Sequence, residues 1–415
     1  MSEAVEPIDS FRTRAEEWLS ARRPRRVASA STWGEGEFDV TVFHDRTEEE
    51  ERRYLADYVT WHHEKLAAGF GSITWPVAAG GAGLTAAHER AFKELEALFE
   101  VPNDHELISV TTKLIAPTIE KYGTAEQVAA YARPFMRAEQ FCCQLFSEPG
   151  AGSDLASLSC RAERDGDNWV LNGQKVWSSN AHIAPWGFAI CRTDVDVPKH
   201  AGMTAFLVPL QHAGVTVRGI RQMNGGASFN EVFMDDAVIP DSYRVGAVGE
   251  GWKVALTVLS FERNSSGGSG RRGGDYFDLL GLARSHGRTG DPIIRQGLAR
   301  VYSRQKVREW ARSRAAAAVR LGGTAGPEGS IGKLLWTNAM ADISNVASSI
   351  LGAELTADTG GWGTFGWNDH VLGAPGYRIA GGSDEIQRNI IGERVLGLPG
   401  EPRVDRDVPF KLAPR

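Results

Sequence analysis

Up to about residue 140, apolar side chains recur every three to four positions, the period of one helix face. Residues 10–23 (SFRTRAEEWLSARR), 47–70 (TEEEERRYLADYVTWHHEKLAAGF) and 85–100 (TAAHERAFKELEALFE) set such stripes against charged neighbours and predict amphipathic helices. Residues 75–84, WPVAAGGAGL, interrupt them with proline and glycine and read as a loop. From about residue 141 the period shortens. NWVLNGQKVW (168–177) places Asn172-Gly173 between two apolar runs and predicts a hairpin turning at those two residues. TAFLVPL, GVTVRGI and NEVFMDDAVIP follow as short strands. The helical period returns at GEGWKVALTVLSFER, and residues 291–321 and 330–352 are long enough to pack as a bundle. Without internal repeats, this order predicts an α+β chain. Its parts are an N-terminal helical domain (1–140), a central small β-barrel or sandwich domain (141–250) and a C-terminal helical bundle (251–415).

One detail of that pattern points to chemistry. Trp252, Ala255, Leu256 and Leu259 form a stripe whose continuation falls on Glu262 and Arg263, just before the Ser/Gly-rich NSSGGSG. A carboxylate directed at its own interior needs either a partner or a task.

Composition narrows the alternatives. At 415 residues the chain exceeds what one core usually serves, and 42% hydrophobic residues argue against disorder. A net charge of −6 without a long basic run makes nucleic acid and membrane surfaces poor partners. The N-terminus lacks a signal peptide's apolar core. Four cysteines, two of them adjacent at 142 and 143, make no disulfide framework, so a reducing, cytoplasmic setting is expected. Two G-x-G-x-x-G matches, at 268–273 and 361–366, lack the strand-then-helix context of a dinucleotide site. His62 and His63 in WHHE read as a solvated helix face, and no metal site is expected.

Three stretches are more specific. QLFSEPGAGSDLASL (144–158), NGQKVWSSNA (172–181) and YRIAGGSDEIQRNIIGERVLGLP (377–399), in this order, resemble the acyl-CoA dehydrogenase family over roughly residues 10–400. The resemblance implies a C-terminal four-helix bundle, a non-covalent FAD and oxidation of the Cα–Cβ bond of an acyl-CoA thioester. It also implies electron-transfer flavoprotein as acceptor and a tetramer or dimer, homomeric or heteromeric. Phe146 and Ser147 are implied along the flavin's pyrimidine edge, Trp177 against the ring, Ser179 near N5, and Ser383 and Glu385 against FAD. Ser153, in the Gly-rich turn, suits a phosphate oxygen; it is expected at both the cofactor and the substrate site, and Arg263 at the latter. Ser383 has the further role of capping a helix that begins at Asp384.

The sequence departs from the family pattern in two places. Many members carry the proton-abstracting glutamate where AGGSDEIQR has Gly381. A second branch, including isovaleryl-CoA dehydrogenase, supplies the base from the first helix after the β domain, and LSFER puts Glu262 there. An apolar pocket would raise that carboxyl's pKa by desolvation. Gly381 keeps an N–H for the thioester carbonyl. The structural alternative for Glu262 is an ion pair with Arg263, Arg271 or Arg272. Second, the Arg-x-Thr/Ala-Phe grip on FAD lacks its Phe in GRTGDPIIRQGLARVY (287–302). Two further readings share the fold: a flavin oxidase or monooxygenase using dioxygen, and a catalytically silent partner subunit.

Overall fold

A computed structural model of the chain describes residues 5–26, 33–35, 38–265, 272–320 and 326–413, with backbone alone at 263–265 and 319–320. The N-terminal helices are α1 (Ile8–Ser20), α2 (Glu48–Ala67), α3 (Ala86–Glu96), α4 (Glu106–Val110), α5 (Ala116–Tyr122), α6 (Ala125–Gln127) and α7 (Arg133–Met136). Their starts follow local chemistry. Thr47 and Glu50 form a reciprocal capping box at α2, whose first turn carries four glutamates at the positive end of the helix dipole. Phe11, Ala15 and Leu19 of α1, with Trp61, Phe70, Phe92 and Leu95, close the N-terminal core.

The central strands are β1 (Cys142–Leu145), β2 (Arg161–Asp165), β3 (Asn168–Lys175), β4 (Trp186–Arg192), β5 (Met203–Pro209), β6 (Val215–Ile220), β7 (Phe229–Pro240) and β8 (Arg244–Val245). They form one eight-stranded sheet in the order β6-β7-β3-β2-β4-β5-β8, with β1 parallel to β4. The expected turn at Asn172-Gly173 is not there. β3 continues through those residues, and the β2–β3 hairpin turns instead at Gly166-Asp167, with Asp165 opposite Asn168. Asn172-Gly173 makes a bulge against β7. Gly173 has φ +148°, and a Cβ on it would lie 2.7 Å from Cys160 Cα. The Asn172 amide donates to Asp236 Oδ1 at 2.9 Å while its oxygen accepts from Asp236 N–H at 3.0 Å. The dipeptide's tolerance of unusual φ is used within a strand rather than at its end.

The C-terminal helices are α8 (Gly251–Ser265), α9 (Tyr276–Ser285), α10 (Pro292–Arg320), α11 (Gly329–Leu351), α12 (Gly366–Ile379) and α13 (Asp384–Ile390). An irregular strap at residues 38–46 joins the three parts. Val40 and Val42 are buried in the bundle, and the Phe43 ring lies over Gly376, where a Cβ would approach it to 2.5 Å. Phe43 stacks on Tyr377 of α12 (centroids 4.8 Å, 9°) and meets Phe229 of β7 edge-on at 5.3 Å.

His62 is buried, not solvated as the charged neighbourhood suggested. Its Nε2 lies 3.1 Å from Met136 O, while Nε2 of its neighbour His63 lies 2.9 Å from Arg137 O. Burial, opposed by the Met136 contact, lowers the His62 pKa to about 4; burial does the same to His370 of α12. Each folded value lies below the ordinary 6.5. Between pH about 6.5 and 4 the unfolded chain therefore binds protons that the folded chain does not, and stability falls as pH falls. At about 1.36 kcal/mol per pKa unit, each histidine contributes up to about 3 kcal/mol to that loss. Urea midpoints should decline across this window, and a His62→Gln, His370→Gln variant should decline less steeply. Equal slopes in both proteins would refute the assignment.

Candidate active site

Two loops of the central unit are locked together from beneath. Glu148, in SEPGAGS, is buried and accepts from Ser159 N–H (2.6 Å), Cys160 N–H (2.9 Å) and Lys175 Nζ (2.8 Å). Lys175 is fully buried and also donates to Phe146 O (3.2 Å) and Ile190 O (2.7 Å). Burial works against its charge, but Cys160 and Glu148 outweigh that, and its pKa lies above the usual lysine value. Val176 N–H then bonds Ser147 O at 2.9 Å. The backbone of Phe146 and Ser147 is thereby fixed beside the turn into Trp177.

Trp177 itself has φ +59° and is 59% exposed, an unusual pairing for a large aromatic residue. Ser178 exchanges backbone hydrogen bonds with Asn230 (3.0 and 3.1 Å), and Asn180 N–H bonds Ser228 O at 2.9 Å, so β7 holds this strained loop. A strained, outward tryptophan held on both sides is a feature of ligand sites. Nearby, a Cβ on Gly150 or Gly152 would meet nothing within 4 Å, leaving the Gly-rich turn open to an approaching group. Three buried oxygens around the Trp177 loop, Ser178 Oγ, Asn180 Oδ1 and Asn230 Oδ1, have no hydrogen-bond partner among the described residues. An open aromatic face with under-satisfied polar neighbours fits a flat heteroaromatic cofactor such as FAD. Ser179 is half-buried in this loop, and Ser153 is exposed on the turn.

A second cluster faces from the bundle. Val254, Ala255 and Val258 form the buried stripe of α8, while Leu256, expected inside, is 43% exposed. Glu262 lies one turn beyond Val258 and is half-buried. Its Oε1 lies 3.5 Å from the position a Cβ would take on Gly381, whose φ is +63°. The helix that carries Glu262 and the AGGS turn therefore converge. Ser383 accepts from Ile386 N–H at 3.3 Å and caps α13, which begins at Asp384 as its sequence predicts. Glu385 is exposed and pairs with Arg388 at 3.3 Å. The Arg263 side chain and Arg271 lie outside the described residues; Arg272 donates to the Tyr377 hydroxyl.

The two clusters are joined by rings in contact. Trp177 meets Phe229 edge-on (6.0 Å), Phe229 meets Phe43, Phe43 stacks on Tyr377, and Tyr377 contacts Trp336 at 4.8 Å. Sequence reading missed Phe43, Tyr377, Lys175 and Lys333 of α11, whose ammonium donates to Gly382 O, as parts of this region. Only Lys175 had a signal, a charge at an inward position of an alternating strand.

Helices, a mixed sheet and a bundle in this order, closing on an inward carboxylate, define an acyl-CoA dehydrogenase architecture. Family models for the N-terminal, middle and C-terminal domains of acyl-CoA dehydrogenase match residues 39–139, 143–237 and 249–396. The sequence is 36% identical over 408 residues to acyl-CoA dehydrogenase IpdE1 of Mycobacterium tuberculosis, covering 96% of this chain and 100% of that protein. Among solved structures, the Tcur3481-Tcur3483 steroid ACAD superposes with a TM-score of 0.72 at 25% identity, covering 95% of this chain and 99% of that one. The ChsE4-ChsE5 complex from Mycobacterium tuberculosis shares the fold, with a TM-score of 0.68 at 24% identity over 97% of this chain and 100% of that one. The chain belongs to the acyl-CoA dehydrogenase family and is an oxidoreductase of that type.

Proposed function

We propose that this enzyme introduces a double bond between Cα and Cβ of an acyl-CoA thioester, with Glu262 as the base and the Gly381 N–H as a donor to the thioester carbonyl. The observation that carries the reading is that Glu262 Oε1 lies 3.5 Å from where a Cβ on Gly381 would sit. Glycine at 381 leaves room for a carboxylate arriving from α8 and keeps the backbone donor in place.

FAD, when bound, would supply the acceptor for a hydride from Cβ; Glu262 takes the α-proton, and the electron pair of that Cα–H bond becomes the new double bond. Phe146, Ser147, Ser153, Trp177, Ser179, Ser383 and Glu385 would hold that cofactor. Glu262 then needs only a fixed line to the α-carbon, and the Gly381 N–H stabilises charge that collects on the thioester oxygen as the proton leaves. Ser153 and Arg263 complete the proposed substrate contacts.

The name of the steroid ACAD supports a bulky, polycyclic acyl group. The paired names of both structural relatives support assembly with a second subunit. The family resemblance supports electron-transfer flavoprotein as the electron acceptor. An anaerobic absorbance spectrum taken while acyl-CoA thioesters of increasing bulk are added tests the reading. A polycyclic acyl-CoA should bleach the flavin bands. Flavin that no thioester bleaches, in a protein that forms peroxide in air, would favour the oxygen-using alternative.

A further inference from the structure

The turn that carries Gly381 is not held by its own residues. Gly381 and Gly382 both have positive φ, +63° and +81°, so neither peptide is oriented by regular secondary structure. Their carbonyls are held instead by side chains. Gln387 Nε2 donates to Gly381 O at 3.1 Å and to Gly382 O at 3.0 Å, and Lys333 Nζ donates to Gly382 O. One turn further along α11, Thr337 donates to Asp384 Oδ1 at 2.8 Å, and Arg378 from α12 donates to Asp384 Oδ2 at 2.8 Å. Positions 333 and 337 share a helix face, and that face fixes both ends of the turn.

Lys333 differs from the other anchors in its charge. It is half-buried, and the charged groups interacting with it are Glu262 from α8 and Asp384 and Glu385 from α13. Asp384 is already engaged by Arg378, and Glu385 by Arg388. Burial lowers the lysine's pKa, with the three carboxylates opposing that shift. The cation therefore touches the turn that presents the oxyanion donor and also acts on the proposed base.

We propose that Lys333 is a positioning residue for the dehydrogenation: its ammonium clamps the Gly382 carbonyl, aims the Gly381 N–H at the thioester oxygen and adds a positive field where negative charge collects. This rests on the reading of Gly381 as oxyanion donor. A cation placed there favours the enolate-like charge on the thioester over its neutral form. Lysine serves because its compact charge can meet a single carbonyl oxygen at the end of a flexible stem.

The test uses FAD-loaded full-length protein and acetoacetyl-CoA, a thioester whose α-carbon ionises to an absorbing enolate without any turnover. The pH at which the bound ligand becomes enolate reads the oxyanion site directly. In Lys333→Met that midpoint should rise by about one pH unit, a tenfold loss of enolate preference. Lys333→Arg should recover most of it, since the charge returns. FAD content and helical circular dichroism should match the parent protein in both variants. A Lys333→Met midpoint equal to the parent's would overturn the proposal, as would a loss that arginine does not recover. Glu262→Gln separates this from the base assignment: it should still bind the enolate even though it no longer removes the α-proton. A parent protein that leaves acetoacetyl-CoA neutral would overturn the oxyanion assignment and this inference with it.

Discussion

Glutamine at position 262 is expected to slow flavin reduction by an acyl-CoA substrate by about 10²- to 10⁴-fold, the range typical of a positioned general base. The change keeps the shape of the side chain and removes its capacity to take a proton. Val254, Ala255 and Val258, which hold α8 in the core, are untouched. FAD content and acyl-CoA binding should therefore persist. The competing role for Glu262 is structural, as one end of an ion pair. Arg272, one of the arginines in reach by sequence, donates to Tyr377, while Lys333 lies within electrostatic range of the carboxylate. If the pairing were the purpose, Glu262→Gln would lower stability or FAD content yet leave the reduction rate per bound flavin intact. Rapid-mixing absorbance under anaerobic conditions measures that rate directly. A wild-type rate would eliminate Glu262 as the base, and attention would pass to residues outside the AGGS turn, since Gly381 has no side chain to offer.

The long helices were legible because their patterns are local. Residues 330–352 predicted α11 (Gly329–Leu351), and residues 291–321 predicted α10 (Pro292–Arg320), nearly to their ends. Ser383 was legible as a cap for the same reason, its partner Ile386 N–H being three residues away. What failed depended on partners distant in sequence. Asn172-Gly173 has the chemistry of a turn, and only its fit against Cys160 and Asp236 shows why it bends a strand instead. Phe43 sits in a segment with no periodicity, yet it bridges β7 and α12 through two ring contacts. Leu256 matched the stripe by spacing, but the stripe is rotated toward Val254 and Val258, and spacing does not fix that rotation. The inward course of Glu262 survived this error because it lies one turn from Val258, which is buried.

The other large effect is expected from Lys175→Met. The side chain is fully buried and donates hydrogen bonds to Phe146 O, Glu148 Oε1 and Ile190 O. Methionine fills most of the same volume, so the loss would be electrostatic rather than a cavity. It would leave the buried Glu148 carboxylate without its ion-pair partner, hydrogen-bonded by Ser159 and the Cys160 N–H. Removing one partner of a buried pair typically costs about 3–5 kcal/mol, because the remaining charge is uncompensated. A comparable drop in urea stability is expected, along with loss of FAD, since this pair fixes the backbone beside Trp177. The double variant Glu148→Gln, Lys175→Met should regain part of the stability by removing the stranded charge. Cofactor binding should not recover to the same extent, because the Phe146 and Ile190 carbonyls still lack their donor. A single variant as stable as the parent would mean that Glu148 takes up a proton or reaches water on losing its partner, and the clamp beneath the two loops would then not depend on the ion pair.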